Sequence, residues 1–375
     1  MNDIKFARYY EYYLLLHKNK TNRRLHVAGL MATLATLIYS IATLKWALLL
    51  AVPFVVYPFA WIGHLFFEKN TPAAWSKPIW AKACDWIMLK DILTGKIELM
   101  YDSTSLLRYI THPNFEFVKG DVRDQNLLSS CLAEADVIIP LAALVGFPLC
   151  RDNPIAAQDI NHEVNAWIAK NKSNDQLVIY PCTNSGYGVG EKGSYCTEES
   201  PLNPISLYGK TKVAGENEYK NVENHVTFRL ATVFGPSTRM RTDLLVNNFV
   251  LKAIDEKILV LYECEFMRNY IHLQDVCRSF KFVIDNWDTC KNETYNVGHD
   301  DLNMNKLQLA ETIQKHTPLE IIRAEFTEDL DKRDYIVSSE KFYSKGFECK
   351  NDLDLGIKQL IKSYELIKSP WFANY

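Results

Sequence analysis

Two apolar runs lie almost end to end near the start of the chain, and they restrict the fold more than any other feature. Leu25 to Leu44 is 20 residues without a Lys, Arg, Asp or Glu, and Trp46 to Phe67 is 22 more, with Lys45 alone between them. At 1.5 Å rise per residue, each run is long enough to cross the roughly 30 Å hydrocarbon core of a bilayer. A one-residue break predicts a tight helical hairpin. Lys18, Lys20, Arg23 and Arg24 precede the first run, and Lys69, Lys77 and Lys82 follow the second. Basic residues at both ends put both ends in the cytoplasm. A buried helix pair in a soluble domain is the other architecture that such runs allow.

Three histidines stand in or beside these runs: His17, His26 and His64. Neutral imidazole is the commonest protein ligand for transition metals, and ionisable groups at membrane depth are functional candidates. His17 and His26 flank the polar turn Lys18 to Arg24. Glu68 follows His64 by four residues, which on an α-helix is the same face. Spacing alone fits interfacial side chains as well as ligands.

Beyond about residue 97 the character changes. A length of 375 residues suggests two domains, and 48% hydrophobic content supports a sizeable core. A net charge of −3 gives no footing for nucleic acid. Nine cysteines without a CxxC read as reduced thiols, and no secretory signal is expected at Met1-Asn2-Asp3. Strands and helices then alternate, the signature of a parallel sheet with crossover helices. The expected strands are Phe115–Val118, Val137–Ile139, Leu177–Tyr180 and Val226–Leu230, each ending in small or polar residues. In open α/β sheets, ligands bind at those carboxyl ends.

One pattern there carries chemistry. Tyr208 to Lys212 is a YxxxK motif, 25 residues after Thr183. On a helix Tyr208 and Lys212 share a face. A lysine ammonium beside a phenol favours the phenolate, so the tyrosine can exchange a proton with a substrate hydroxyl while a hydride moves. Thr183 would hydrogen-bond the same oxygen, and the lysine can also hold a nicotinamide ribose.

Two resemblances follow from the wording of the chain. Gly120-Asp121-Val122-Arg123-Asp124, Leu141-Ala142-Ala143, Thr183 to Gly188, Tyr208 to Lys212, Arg268 to Asp275 and Tyr295 to Gly298 resemble the extended short-chain dehydrogenase/reductases. Nucleotide-sugar epimerases and dehydratases belong to that family. The resemblance implies a Rossmann-type α/β domain over residues 98–375, with NAD as cofactor and a nucleotide sugar as substrate. It implies catalytic positions at Thr183, Tyr208 and Lys212. Cofactor contacts fall at Asp121, Val122, Leu141, Ala142, Ala143, Tyr208, Lys212 and Val233, and substrate contacts at Asn247, Arg268 and Arg333. Tyr9-Tyr10 through His17, Asn22 to His26, Ala60 to His64, Phe67 to Ala73 and Asp85 to Met88 resemble a small family of helical membrane proteins. Its members include a fungal iron-dependent dioxygenase of 2-hydroxy fatty acids. That resemblance implies an all-α membrane domain over residues 1–97, with iron(II) held by His17, His26 and His64.

The departures shape the expectation. Gly29, Gly63 and Gly95 are the only glycines before residue 98, and they form no GxGxxG. The one matching string, Gly188 to Gly193, leads into a proline-bearing stretch and reads as a loop. Leu99 to Ser103 resembles the family just after its second strand. The first strand, the phosphate loop, the first helix and the second strand are therefore expected to be missing. Thr232 stands where the family has an asparagine near the nicotinamide. The expected protein is an incomplete Rossmann-type domain behind a membrane hairpin, with NAD bound weakly or not at all and activity in doubt. Its expected partners are a nucleotide sugar, membrane lipid along residues 25–67 and a second copy of itself. It is expected at the membrane, with both termini and the C-terminal domain cytoplasmic. A membrane iron dioxygenase acting on a 2-hydroxy fatty acid and a non-catalytic nucleotide-sugar binding module are the alternatives.

Overall fold

The computed structural model describes residues 16–17, 20–68, 78–93, 112–191, 193–324 and 333–366, with Tyr13, Pro72 and Tyr109. The chain forms two compact units, Met1–Phe115 and Glu116–Tyr375. The junction expected near residue 98 lies outside the described residues.

In the first unit, the helix Lys20–Ala42 carries the first apolar run. The second run is less regular than expected. It passes through 3₁₀ turns at Trp46–Leu50 and Val52–Phe54, the α-helix Val56–Ile62 and the π-helix Gly63–Glu68. Pro53 and Pro58 each lack the N–H that a continuous α-helix needs, which explains part of the irregularity. The segments Thr21–Ala42 and Trp46–Phe67 are long and apolar enough to cross a membrane, with only 28% and 17% of the apolar window buried. Leu50, Phe54, Leu65 and Phe66 are well exposed. The helix Pro78–Leu93 follows in the same unit.

The two runs approach closely at Gly63. A Cβ there would sit 1.8 Å from Asn22 Oδ1, so any larger residue would displace the Asn22 side chain. That contact places His64 opposite the beginning of the first helix.

The second unit is a Rossmann-like α/β domain. Its main sheet holds four parallel strands in the order Val137–Ile138, Leu177–Thr183, His225–Leu230 and Glu293–Val297. Ile179, Val226, Phe228, Tyr295 and Val297 are fully buried on it. The strand expected at Phe115–Val118 joins no ladder, and Phe117 and Val118 are exposed. In the doubly wound order, strands two and one stand between the third strand and the fourth. Among the described residues no strand precedes Val137, so the segment has no neighbour to bond. The same lack leaves Val137–Ile138 as a two-residue edge strand. A separate, smaller sheet pairs Thr232–Phe234 with Met267–His272 in parallel and Met267–His272 with Asn303–Asn305 in antiparallel fashion.

Candidate active site and candidate metal centre

The Tyr208 helix begins where its cap dictates. Ser206 Oγ accepts a hydrogen bond from Gly209 N–H at 3.1 Å, and the helix runs Leu207–Tyr219. Tyr208 and Lys212 share one face of it. Gly215 lets the helix lie against the strand Leu177–Thr183, because a Cβ there would sit 2.4 Å from Tyr180 Oη. Tyr180 Oη also donates to Lys212 O at 3.0 Å. Thr183, at the end of that strand, donates from Oγ1 to Ser185 Oγ at 3.0 Å and accepts from Ser185 N–H at 3.1 Å. Arg333 Nη1 donates to the same Ser185 hydroxyl.

The electrostatics differ from the simple Tyr–Lys picture. Burial pushes the Tyr208 phenol above its ordinary value, Cys182 adds to the rise, and Arg333 and Arg241 pull it down. Lys212 Nζ lies over the Tyr180 ring, 4.2 Å from its centroid. Burial pushes its pKa down to about 8. The cations that lower the phenol are thus two arginines brought in by distant segments, and desolvation outweighs them.

The expected cofactor residues divide. Asp121, Val122, Ala142 and Ala143 line an open cavity of about 420 Å³ with Lys119, Gly120, Leu144 and Ile160. Leu141 is exposed, and Val233 pairs with Ile271 in the smaller sheet. Asp121 is exposed, and Arg123 bonds its carboxylate at 2.7 Å, holding it down to about 2. The Gly188 to Gly193 string leads into no helix: Gly188 takes φ +68 and Val189 bridges Asp334, as a loop should.

The expected substrate residues divide as well. Arg333 reaches the Thr183–Ser185 corner. Arg268 is buried beside Tyr335, 5.8 Å from the ring centroid. Asn247 spends its amide on the backbone: Oδ1 accepts from Gly235 N–H at 3.1 Å and Nδ2 donates to Arg241 O at 2.9 Å. It therefore shapes the loop that carries Arg241.

Three residues here are given no role by the sequence patterns. Ser185 and Arg241 are named above. The third is Asn161, fully buried, whose amide accepts from Leu144 N–H at 2.8 Å and donates to Leu144 O at 3.0 Å and Thr211 Oγ1 at 3.2 Å. It ties the cavity wall to the Tyr208 helix. A buried asparagine on a helix was the only signal available for it.

In the first unit, the three histidines come together. His17 Nε2 stands 3.2 Å from His26 Nε2 and 3.1 Å from His64 Nε2. All three rings are buried and line a cavity of about 20 Å³, room for one small occupant. His17 Nδ1–H donates to Tyr13 O at 2.6 Å. His26 Nδ1–H donates to Asp85 Oδ1 at 2.8 Å. These bonds leave both Nε2 atoms as lone pairs that face each other. Such lone pairs repel unless a proton or a metal cation lies between them. Burial holds the His17 imidazole well below its usual range, against the proton, and His26 and His64 lower it further. Four-coordinate bonds of about 2.0–2.1 Å would set neighbouring nitrogens about 3.3 Å apart, close to the spacing seen. The residues present therefore fit a metal. The Glu68 side chain lies outside the described residues; the carboxylate that meets a histidine here is that of Asp85.

Comparison with known proteins finds relatives for both parts of the chain. Residues 4–97 match the sequence model described as 2-hydroxy-palmitic acid dioxygenase Mpo1-like. The low-salt glycan biosynthesis protein Agl12 of Haloferax volcanii is 26% identical over 270 residues, spanning 69% of this chain and 85% of that one. The UDP-N-acetylglucosamine 4,6-dehydratase (inverting) of Campylobacter jejuni is 25% identical over 235 residues, 60% of this chain and 65% of that one. Two solved structures share the fold. The UDP-glucuronic acid 4-epimerase of Bacillus cereus, in complex with UDP-glucuronic acid and NAD, has TM-score 0.61 and 19% identity over 70% of this chain and 85% of that one. The dTDP-glucose 4,6-dehydratase of Bacillus anthracis, in complex with NAD, has TM-score 0.59 and 23% identity over 71% and 84%. Residues 94–298, more than half of the chain, match the family model that covers the strand ends, Thr183 and the Tyr208–Lys212 helix: the chain belongs to the NAD dependent epimerase/dehydratase family.

Proposed function

We propose that the second unit transfers hydride on a nucleotide sugar with NAD, and that Tyr208 is its acid–base. The observation that supports this most is the convergence of Thr183, Ser185 and Arg333 at the strand end beside the Tyr208 helix. NAD, when bound, supplies a reversible hydride acceptor. The cavity at Asp121, Val122, Ala142 and Ala143 fits its adenosine end. Thr183 and Tyr208 are placed to hold a sugar hydroxyl and to move its proton. Arg333 and Arg268 present planar guanidinium groups suited to a diphosphate. The pyrophosphate of a dinucleotide normally rests on N–H groups at a helix N-terminus after the first strand, and the described residues contain no such turn before Val137. Binding of NAD is therefore expected to be weak. Calorimetric titration of NAD into the full chain tests this. A submicromolar dissociation constant would overturn the weak-binding reading. Nucleotide-sugar binding with no turnover at saturating NAD would favour a binding module.

The histidine geometry supports a second activity, in the first unit. Here His17, His26 and His64 hold one iron(II), and the helices around them insert into the membrane through Thr21–Ala42 and Trp46–Phe67. Iron(II), when bound, supplies oxidative chemistry with dioxygen toward a 2-hydroxy fatty acid. Three imidazoles leave coordination positions open, as such sites require. Metal analysis of the membrane-extracted full chain and its His64→Ala variant tests it. Iron unchanged by the substitution would reduce the cluster to interfacial histidines.

A further inference from the structure

We propose that Asp85 and Tyr13 form an outer clamp that fixes the ring orientation and tautomer of His17 and His26, making Asp85 the positioning carboxylate of the metal centre. The inference rests on the iron reading above and adds residues to which that reading gives no part. Asp85 stands on the helix Pro78–Leu93, 59 positions from His26, and is buried. Its Oδ1 meets two donors: His26 Nδ1–H at 2.8 Å and the Tyr13 hydroxyl. Tyr13 then closes the circuit. Its own carbonyl accepts His17 Nδ1–H at 2.6 Å, and its ring stacks on His17 with centroids 4.0 Å apart. One tyrosine thus holds His17 directly and His26 through Asp85.

The physical consequence is a choice of nitrogen. An imidazole binds a metal through the nitrogen that carries no proton. An acceptor at Nδ1 on both rings commits the proton there and leaves Nε2 for the cation, and the two Nε2 atoms are indeed those that converge, at 3.2 Å. A carboxylate does this better than a carbonyl, because the bond gains from charge and raises the basicity of the ligating nitrogen. Without Asp85, the His26 ring could rotate or adopt the other tautomer, and the cluster would lose one correctly presented donor. Burial of an unpaired carboxylate is costly. The two donors account for its place inside the unit.

The test uses the full chain extracted in detergent. Fe(II) and Co(II) are each titrated into wild type, Asp85→Ala, Asp85→Asn and Tyr13→Phe. Affinity is read by competition with a chelator, and Co(II) absorption reports the ligand field. Loss of an outer-sphere partner typically weakens metal binding about 10–100-fold. That loss is expected for Asp85→Ala, together with an altered Co(II) spectrum. Asp85→Asn, which keeps shape and loses charge, and Tyr13→Phe, which keeps the carbonyl and loses the hydroxyl, are expected to fall between it and wild type. Wild-type affinity and spectrum in both Asp85 variants would overturn the clamp and leave the iron reading standing. Absence of metal from the wild type would overturn both. Should Asp85→Ala fail to fold, Asp85→Asn decides alone, and an unchanged Co(II) spectrum there would count against the proposal.

Discussion

The two units place their polar residues in opposite ways. In the first, His17, His26, His64 and Asp85 are buried while Leu50, Leu65 and Phe66 face outward, with Leu50 79% exposed. In the second, Tyr180, Phe228 and Tyr295 are wholly buried, and the site residues gather at strand ends. The first arrangement suits a lipid surround and the second an aqueous one. The contrast extends to how each site is held. The histidine cluster draws on residues from Tyr13 to Asp85 and is tied by hydrogen bonds among its own members. The Tyr208 site recruits residues from Asp121 to Arg333 and depends on braces such as Ser185 and Asn161. A small closed site should fail ligand by ligand. A dispersed site should fail through its positioning as well as its chemistry.

Three measurements press on that contrast. The largest effect is expected from Tyr208→Phe. Removing the proposed acid–base should lower hydride transfer by about 10²–10⁴-fold, followed through NADH absorbance with candidate nucleotide sugars, while bound iron stays unchanged. A parallel fall in both would erase the distinction between the units. Next is the pH dependence of stability in the second unit without NAD. Lys212 falls from 10.5 to about 8 in the folded chain. Between those values the unfolded chain holds the extra proton, so stability should rise with pH, by at most about 3 kcal/mol over the window, and flatten below 8. Denaturant unfolding of wild type against Lys212→Met should show that difference, and identical slopes would mean that Lys212 is solvated. The smallest is Asn161→Ala. Leaving the Leu144 amide and the Thr211 hydroxyl without their buried partner should cost about 1–3 kcal/mol. Thermal melting and the KM for NAD should both move. A variant that melts early yet binds NAD normally would show that Asn161 braces the fold alone.

Much of this was legible in the residues. The apolar runs announced two membrane-length segments, and the alternation after residue 115 announced a parallel sheet, because both follow from periodicity and length. The YxxxK spacing placed Tyr208 and Lys212 on one helical face, which the helix Leu207–Tyr219 bears out. Other parts were not legible. Phe115–Val118 has strand composition and no ladder, since a strand exists only with a neighbour. The second apolar run reads as one helix and is built from 3₁₀, α and π pieces. Glu68 is the natural companion for His64 by spacing, and its side chain lies outside the described residues; the contact of His26 with Asp85, far along the chain, has no local signal.

Local pattern, then, determined which stretches are long and apolar enough to cross a membrane, which alternate as strand and helix, and which side chains are candidates for chemistry, since length, period and residue type act over a few turns. Tertiary structure alone decided which nitrogens face one another, which arginines reach Tyr208 and how burial moves its proton. Those outcomes depend on distances between residues far apart in sequence and on the water that their meeting excludes, and neither is written in any local stretch of the chain.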